Sequence, residues 1–260
     1  MVNCRHHEMK TFLSYQEIYD LRGDRYHQAM TQWPEARKAE FEALLTAAAL
    51  PPGPLRILDV PSGGGYLRPY LPDGTTLVCA DPAEPFVRSG RAQGIEHVVC
   101  ARHDRLPFHD GEFDAVLSLA GLHHLANPAD IFREWHRVLK PGGRLCIGDA
   151  RQGSATAAYL DHVVDRYNTQ GHRGLYFSPD SVTRLLREAG FTDPVAEEKT
   201  YTWDFDSRRD LLDFCRTLFG MDLQPADAAL LQGIRETVGF SESSTGCHLH
   251  WALLFATATR

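Results

Sequence analysis

The sequence predicts an α/β fold built on a mainly parallel sheet. Two observations carry this. Short apolar runs recur along the chain, and stretches with helical spacing or glycine-rich turns separate them. The runs are residues 55–60, 76–80, 97–101, 113–120 and 144–148. Each has the length and bulk of a buried strand rather than a helix.

The helical signals lie between and around these runs. Pro34 suits a first helical turn, and residues 35–50 carry Phe41, Leu44, Leu45 and Ala48 at helical spacing. Pro51-Pro52-Gly53-Pro54 stops that helix. Between the fourth and fifth runs, Asn127 can cap a helix with Pro128 at its first position. Ile131, Phe132, Trp135, Val138 and Leu139 form its apolar stripe, and Pro141-Gly142-Gly143 ends it. Ser178-Pro179 starts a further helix that Gly190 stops. Asp206 or Ser207 starts another, with Leu211, Leu212, Phe214, Leu218 and Phe219, ended by Gly220. Residues 225–238 read as one more helix. Residues 246–257 read as a strong strand with Trp251, Leu253 and Phe255 on one face.

Composition limits the functional classes. The chain has 260 residues, 43% hydrophobic and 23% charged, ordinary values for a globular protein. At about 150 residues per domain this means one large domain or two small ones. The net charge of −7 argues against a nucleic-acid coating protein. No apolar run approaches the ~20 residues of a membrane helix, and residues 1–10 lack a signal-peptide core. The six cysteines have no C-x-x-C spacing. They read as reduced thiols, so a cytoplasmic protein is expected.

The first strand ends in Asp59-Val60-Pro61-Ser62-Gly63-Gly64-Gly65. A strand, an acid and a glycine turn entering a helix let backbone approach a ligand at the strand ends. Asp81 ends the second strand, 22 residues after Asp59, where an acid can accept from ribose hydroxyls. Nothing matches the phosphate-gripping G-x-x-x-x-G-K loop. The dinucleotide pattern also fails, because Pro61 takes the first glycine position and Leu67-Arg68 follow where a third glycine is needed.

With these residues the chain resembles the class I S-adenosylmethionine-dependent methyltransferases, over roughly residues 55–191. Asp59 to Gly65 looks like their D-x-G-x-G-x-G loop. Leu106-Pro107-Phe108, Phe113-Asp114-Ala115-Val116, Leu122-His123-His124-Leu125 and Arg137-Val138-Leu139-Lys140-Pro141-Gly142-Gly143 follow in the family's order. The resemblance implies a Rossmann-like, doubly wound sheet of seven strands, the last antiparallel, with helical caps. It implies a helical cap over residues 1–50, a cofactor core over 51–150, a lid over 151–177, and the rest of the core over 178–260 with a helical insertion near 206–240. It also implies S-adenosylmethionine as cofactor and S-adenosylhomocysteine as product. Asp59 would hold the methionine amino group. Pro61, Ser62, Gly63 and Gly65 would lie beside the methionine portion, and Asp81 would grip the ribose. Pro82 would pack on adenine, with His103, Asp104 and Leu119 nearby. Where the family often has an aspartate for the adenine amine, this chain has Arg102, with Asp104 two residues on.

Methyl transfer from a sulfonium needs alignment and a dry site, and an oxygen acceptor usually needs a base. By the resemblance, His123 or His124 is the base and Asp149 orients it or the acceptor hydroxyl. The same three residues could instead hold a divalent ion, but no carboxylate-rich signature accompanies them, and no metal is expected. His248 and His250 read as ordinary strand residues, and His6-His7 as a disordered end. The acceptor pocket is expected from residues 151–177, from the helical pair near 207–238, and from Tyr15, Tyr19, Tyr26 and Arg37 folding over the cofactor. The expected partner is a small-molecule acceptor of a natural-product or other secondary pathway, without nucleic acid or membrane; a homodimer stays open. The alternatives are an N-methyltransferase, an enzyme acting on tRNA or protein, and a protein that holds the cofactor without turnover.

Overall fold

The computed structural model describes residues 13–260, so Cys4 and the His6-His7 pair lie outside the described residues. Four parallel pairings build one half of the sheet. Strand β1 (Arg56–Asp59) pairs with β2 (Thr76–Asp81) on one side and β4 (Phe113–Leu119) on the other. Strand β3 (His97–Cys100) extends the β2 edge, and β5 (Leu139–Asp149) extends the β4 edge. Then β8 (Gly246–Thr259) runs antiparallel between β5 and β6 (Thr192–Phe205). The order β3-β2-β1-β4-β5-β8-β6 is the doubly wound, seven-strand path that the resemblance implies. An eighth strand, β7 (Phe240–Ser243), forms a hairpin with the first residues of β8.

Apolar side chains fill both faces of this sheet, as expected for strands covered on two sides. On β8, Trp251, Leu253 and Phe255 enter one core while Leu254, Ala256 and Ala258 enter the other. The first core is covered by α2 (Lys38–Ala48), α7 (Arg208–Leu218) and α8 (Asp227–Glu236). The second is covered by α4 (Pro128–Val138) and α6 (Pro179–Glu188). Ser178 caps α6 in a reciprocal box with Ser181, and the Ser207 hydroxyl accepts from the Asp210 amide to cap α7.

Helix α1 (Tyr15–Gln32) lies along α3 (Glu84–Ala92). A Cβ at Gly23 would sit 2.7 Å from Pro85, so glycine there permits the close helix approach. Arg88 and Asp24 pair across the same seam at 3.1 Å.

Several elements differ from the sequence expectation. Helix α2 starts at Lys38, because Pro34 belongs to a hydrogen-bonded turn with Ala36 N–H on the Trp33 carbonyl at 3.2 Å. The glycine loop enters turns and one tight helical turn at Arg68–Tyr70 instead of an α-helix. Pro69 and Pro72 supply no amide donors there. Pro141-Gly142-Gly143 opens β5 rather than ending α4, which already stops at Val138. Gly142 takes φ +78° and its amide bonds the Arg260 carbonyl at 2.9 Å. Helix α3 and strand β7 escaped the sequence reading. The α3 helix spends its buried face partly on Gly90, whose missing side chain admits Val98.

Phe132 is fully buried where α4 meets the sheet. Phe132→Ala should cost about 3–5 kcal/mol in urea unfolding, whereas Leu21→Ala, at a 68% exposed site, should stay within about 0.5 kcal/mol. Equal losses at the two sites would contradict this packing.

Candidate active site

Parallel register brings the ends of β1, β2, β4 and β5 to one edge of the sheet. Asp59, Asp81, Leu119 and Asp149 are the last residues of those strands. Ligands of open α/β sheets bind at this edge, where the strand order reverses between β1 and β4.

Over the glycine loop lies a cleft walled by Asp59, Pro61, Ser62, Gly63 and Leu119. Tyr15, Tyr19 and Tyr26 of α1 close it from above, with Tyr66 and Phe86 at the side. Gly63 takes φ +54°, a conformation that favours glycine. Gly65 sits outside this lining and serves packing: at φ +80°, a Cβ there would fall 1.9 Å from Ile95.

The two acids differ in surroundings. Burial and the neighbouring Asp81 push the Asp59 carboxyl well above its ordinary range. Asp81 is completely buried and accepts three hydrogen bonds. They come from Gly63 N–H at 2.9 Å, Ala83 N–H at 2.9 Å and the Tyr15 hydroxyl at 2.9 Å. Burial lifts it to about 7, against the pull of those bonds. Tyr15 of α1 thus holds the carboxyl expected to grip a ribose.

Pro82, His103 and Asp104 line an adjoining open groove with Arg102. Asp104 accepts two hydrogen bonds from Arg102, at 2.9 and 2.6 Å, so the residue expected near adenine is already paired. The His103 ring is buried against Tyr15, with Nε2 lacking a partner, and burial lowers it to about 4.

A second cavity lies beside the cleft. Ala120, Tyr19, Tyr26 and Arg37 line both, so the two spaces meet there. Ala120 takes φ +53°, a conformation that costs a non-glycine residue roughly 1–3 kcal/mol and concentrates at functional sites. Arg37 is buried and bonded to Glu40 and Tyr26. Glu40 in turn accepts from Trp203 Nε1 at 2.7 Å, which ties α2 to β6.

His123, His124 and Asp149 all face the second cavity. Asp149 accepts from His123 N–H at 3.0 Å, from Ala150 N–H at 2.6 Å, and from His123 Nδ1 at 2.6 Å. A carboxylate can only accept, so Nδ1 of His123 donates in this bond, which leaves Nε2 as the ring nitrogen turned to other partners. His124 lacks such a partner. Its Nδ1 is buried without a hydrogen bond, and burial beside His123 and His172 holds it well below the ordinary histidine range.

The remaining walls were largely hidden in the sequence. After β5 comes α5 (Ala155–Ala158), which widens into a π turn at Tyr159–Val164. This segment supplies Leu160 and Val164, and the following loop brings in His172. Arg22, Trp203 and Trp251 complete the wall, from α1, β6 and β8. The sequence points to the segment 151–177 and the α1 tyrosines for this wall, but to neither Arg22 nor Trp203. No local motif marks either one.

Residues 58–147 match the family model for a methyltransferase domain. A Ruegeria pomeroyi ubiquinone biosynthesis O-methyltransferase is 35% identical over 154 residues, covering 54% of this chain and 61% of its own length. The chain spans about half the length of the curated relatives it matches. Among solved structures, the [4+2]-cyclase SpnF superposes with TM-score 0.63 at 19% identity, over 94% of both chains. A Haemonchus contortus phosphoethanolamine N-methyltransferase, solved with S-adenosylhomocysteine, gives TM-score 0.61 at 16% identity, covering 95% of this chain and 60% of that one. Residues 58–147 are thus a methyltransferase domain, for which S-adenosylmethionine is the cofactor. Among the described residues, no helix is long and apolar enough to cross a membrane.

The Asp81 environment gives a pH prediction. Its folded value is about 7 and its ordinary value 3.8, so the folded chain keeps a proton that the unfolded chain releases. The stability from this group is fully present below about pH 4 and is lost as pH rises through about 7. Asp81→Asn removes the titration. Its stability relative to the parent should therefore rise by roughly 2–4 kcal/mol between about pH 4.5 and pH 8. Urea unfolding at each pH measures the slope, and a difference independent of pH contradicts the assignment.

Proposed function

We propose that this protein transfers the methyl group of S-adenosylmethionine to a hydroxyl of a small acceptor, with His123 as the base and Asp149 as its positioning partner. The meeting of two cavities at Ala120 carries this reading. One holds the cofactor-type residues and the other the His123–Asp149 pair.

The cleft residues fit the cofactor by their chemistry. Asp59 offers a carboxyl for an amino group, Asp81 a carboxyl for vicinal hydroxyls, and Tyr66 and Phe86 aromatic walls. The bound cofactor supplies an electrophilic methyl on a sulfonium. What remains for the protein is alignment, exclusion of water and removal of one proton. Tyr15, Tyr19 and Tyr26 exclude water from above. His123 takes the proton that the acceptor oxygen loses, on the Nε2 lone pair. Asp149 fixes the tautomer and stabilises the imidazolium that forms. Trp203, Phe219 and Trp251 in the acceptor cavity suit an apolar or aromatic body. The name of the Ruegeria relative supports oxygen as the acceptor atom. The SpnF match shows that the fold alone does not fix the chemistry, so the site must carry the assignment.

Calorimetry and an acceptor panel test this. The intact chain should bind S-adenosylmethionine, and mass spectrometry should find a methylated hydroxyl product. His123→Ala should lower kcat by about 10²–10⁴-fold while cofactor affinity stays within about twofold. Asp149→Asn should lower kcat in the same direction. An unchanged kcat in His123→Ala overturns the base assignment. Cofactor binding with no product from hydroxyl or amine panels overturns methyl transfer.

A further inference from the structure

His172 was no part of the catalytic expectation, yet the fold delivers it to the same wall as the histidine pair. Ring centroids lie 4.1 Å apart for His123–His124, 5.0 Å for His124–His172 and 5.5 Å for His123–His172. One nitrogen from each lies within 4.8 Å of the other two, and all three residues are buried. We propose that His123, His124 and His172 form a binding site for one divalent transition-metal cation, of which Zn²⁺ is the type case.

Three features beyond proximity support a cation here. First, metal-bound histidines commonly give their second nitrogen to a carboxylate. Asp149 meets His123 Nδ1 at 2.6 Å. His172 Nδ1 has no hydrogen-bond partner, and Asp161 Oδ1, 3.7 Å away, is the carboxylate placed to take it up once the ring turns onto a cation. Second, Nδ1 of His124 is buried with no hydrogen bond, a state that costs free energy until something binds it. Third, the local charge is negative. Asp149 lines the cavity and Asp161 lies behind His172, against Arg22, whose guanidinium donates to the Gly171 carbonyl at 3.2 Å. Arg37, the other cation on this cavity, is spent on Glu40.

Zinc–nitrogen bonds of about 2.0–2.1 Å in a tetrahedron place ligand nitrogens about 3.4 Å apart. The rings would therefore close by roughly 1.4 Å at most, which ring rotation can supply. Three histidines leave a fourth position toward the acceptor cavity, so the site is of the open type. The cation would use the same Nε2 lone pair of His123 that serves as base in the proposed function. Occupation and proton abstraction then exclude each other, and Zn²⁺ should inhibit. That last clause rests on the proposed function; the binding site does not.

The test uses the full chain with His6→Ala and His7→Ala in every sample, freed of metal by chelation, without cofactor or acceptor. Zn²⁺ calorimetry should show one equivalent bound with micromolar or tighter affinity. Co²⁺ should give visible absorption bands of a nitrogen-ligated tetrahedral ion. His124→Ala and His172→Ala should each weaken binding at least tenfold, and Asp161→Asn by about tenfold. His248→Ala, at a surface pair with Asp204, should leave it unchanged. Asp161→Asn keeps the test decisive should a histidine variant fail to fold. Zero stoichiometry, or Zn²⁺ affinity within twofold of the parent in His124→Ala, His172→Ala and Asp161→Asn, overturns the site. Because metal uptake is read without turnover, its failure leaves the methyl-transfer reading intact, and failed turnover leaves the metal site intact.

Discussion

Parallel strand pairing is the constraint on which everything else depends. In a parallel sheet, chain direction fixes which ends share an edge. Asp59, Asp81, Leu119 and Asp149 are far apart in sequence and converge only because their strands run the same way in matched register. A one-residue slip would turn each of these side chains to the opposite face. The two apolar cores, which take alternate residues of the central strands β1, β2, β4, β5 and β8, resist such a slip. Core packing thus positions the site without touching it.

The second organising element is α1. Its hold on the sheet edge is polar at one point, Tyr15 on Asp81, and steric at another, Gly23 against Pro85. The roof over the cleft is therefore attached to Asp81, the carboxyl that the proposed function gives to the cofactor's ribose. A bound nucleoside and the Tyr15 hydroxyl draw on the same acceptor, so closing the roof and holding the ligand are linked through one side chain.

The fold was legible where signals are local. The core strands, the Pro-first helices at Pro128 and Pro179, and the acids ending β1 and β2 depend on a few adjacent residues. The histidine pair was legible as a motif, but which histidine meets Asp149 was not, since that depends on the turn at Gly121 and on β5. Helix α3 was missed because Gly90 breaks its apolar stripe where Val98 intrudes. The acceptor wall was least legible. Arg22, His172, Trp203 and Trp251 come from four separate segments, and only the packed fold states their proximity. That Gly65 leaves room for Ile95 was not legible either, because a glycine loop does not reveal which glycine packs against which neighbour.

The π turn at Tyr159–Val164 carries an evolutionary meaning. Its closing bond runs from Asp165 N–H to the Leu160 carbonyl, five residues back instead of four. The segment therefore holds one more residue than an α-helix of the same course. Removing that residue would restore ordinary winding and swing Leu160 and Val164 to new bearings around the axis. The second cavity can thus change shape through a single-codon deletion or insertion, leaving the sheet edge and its acids in place. The wall of the second cavity and the sheet edge with its acids are thus separately adjustable parts of the chain.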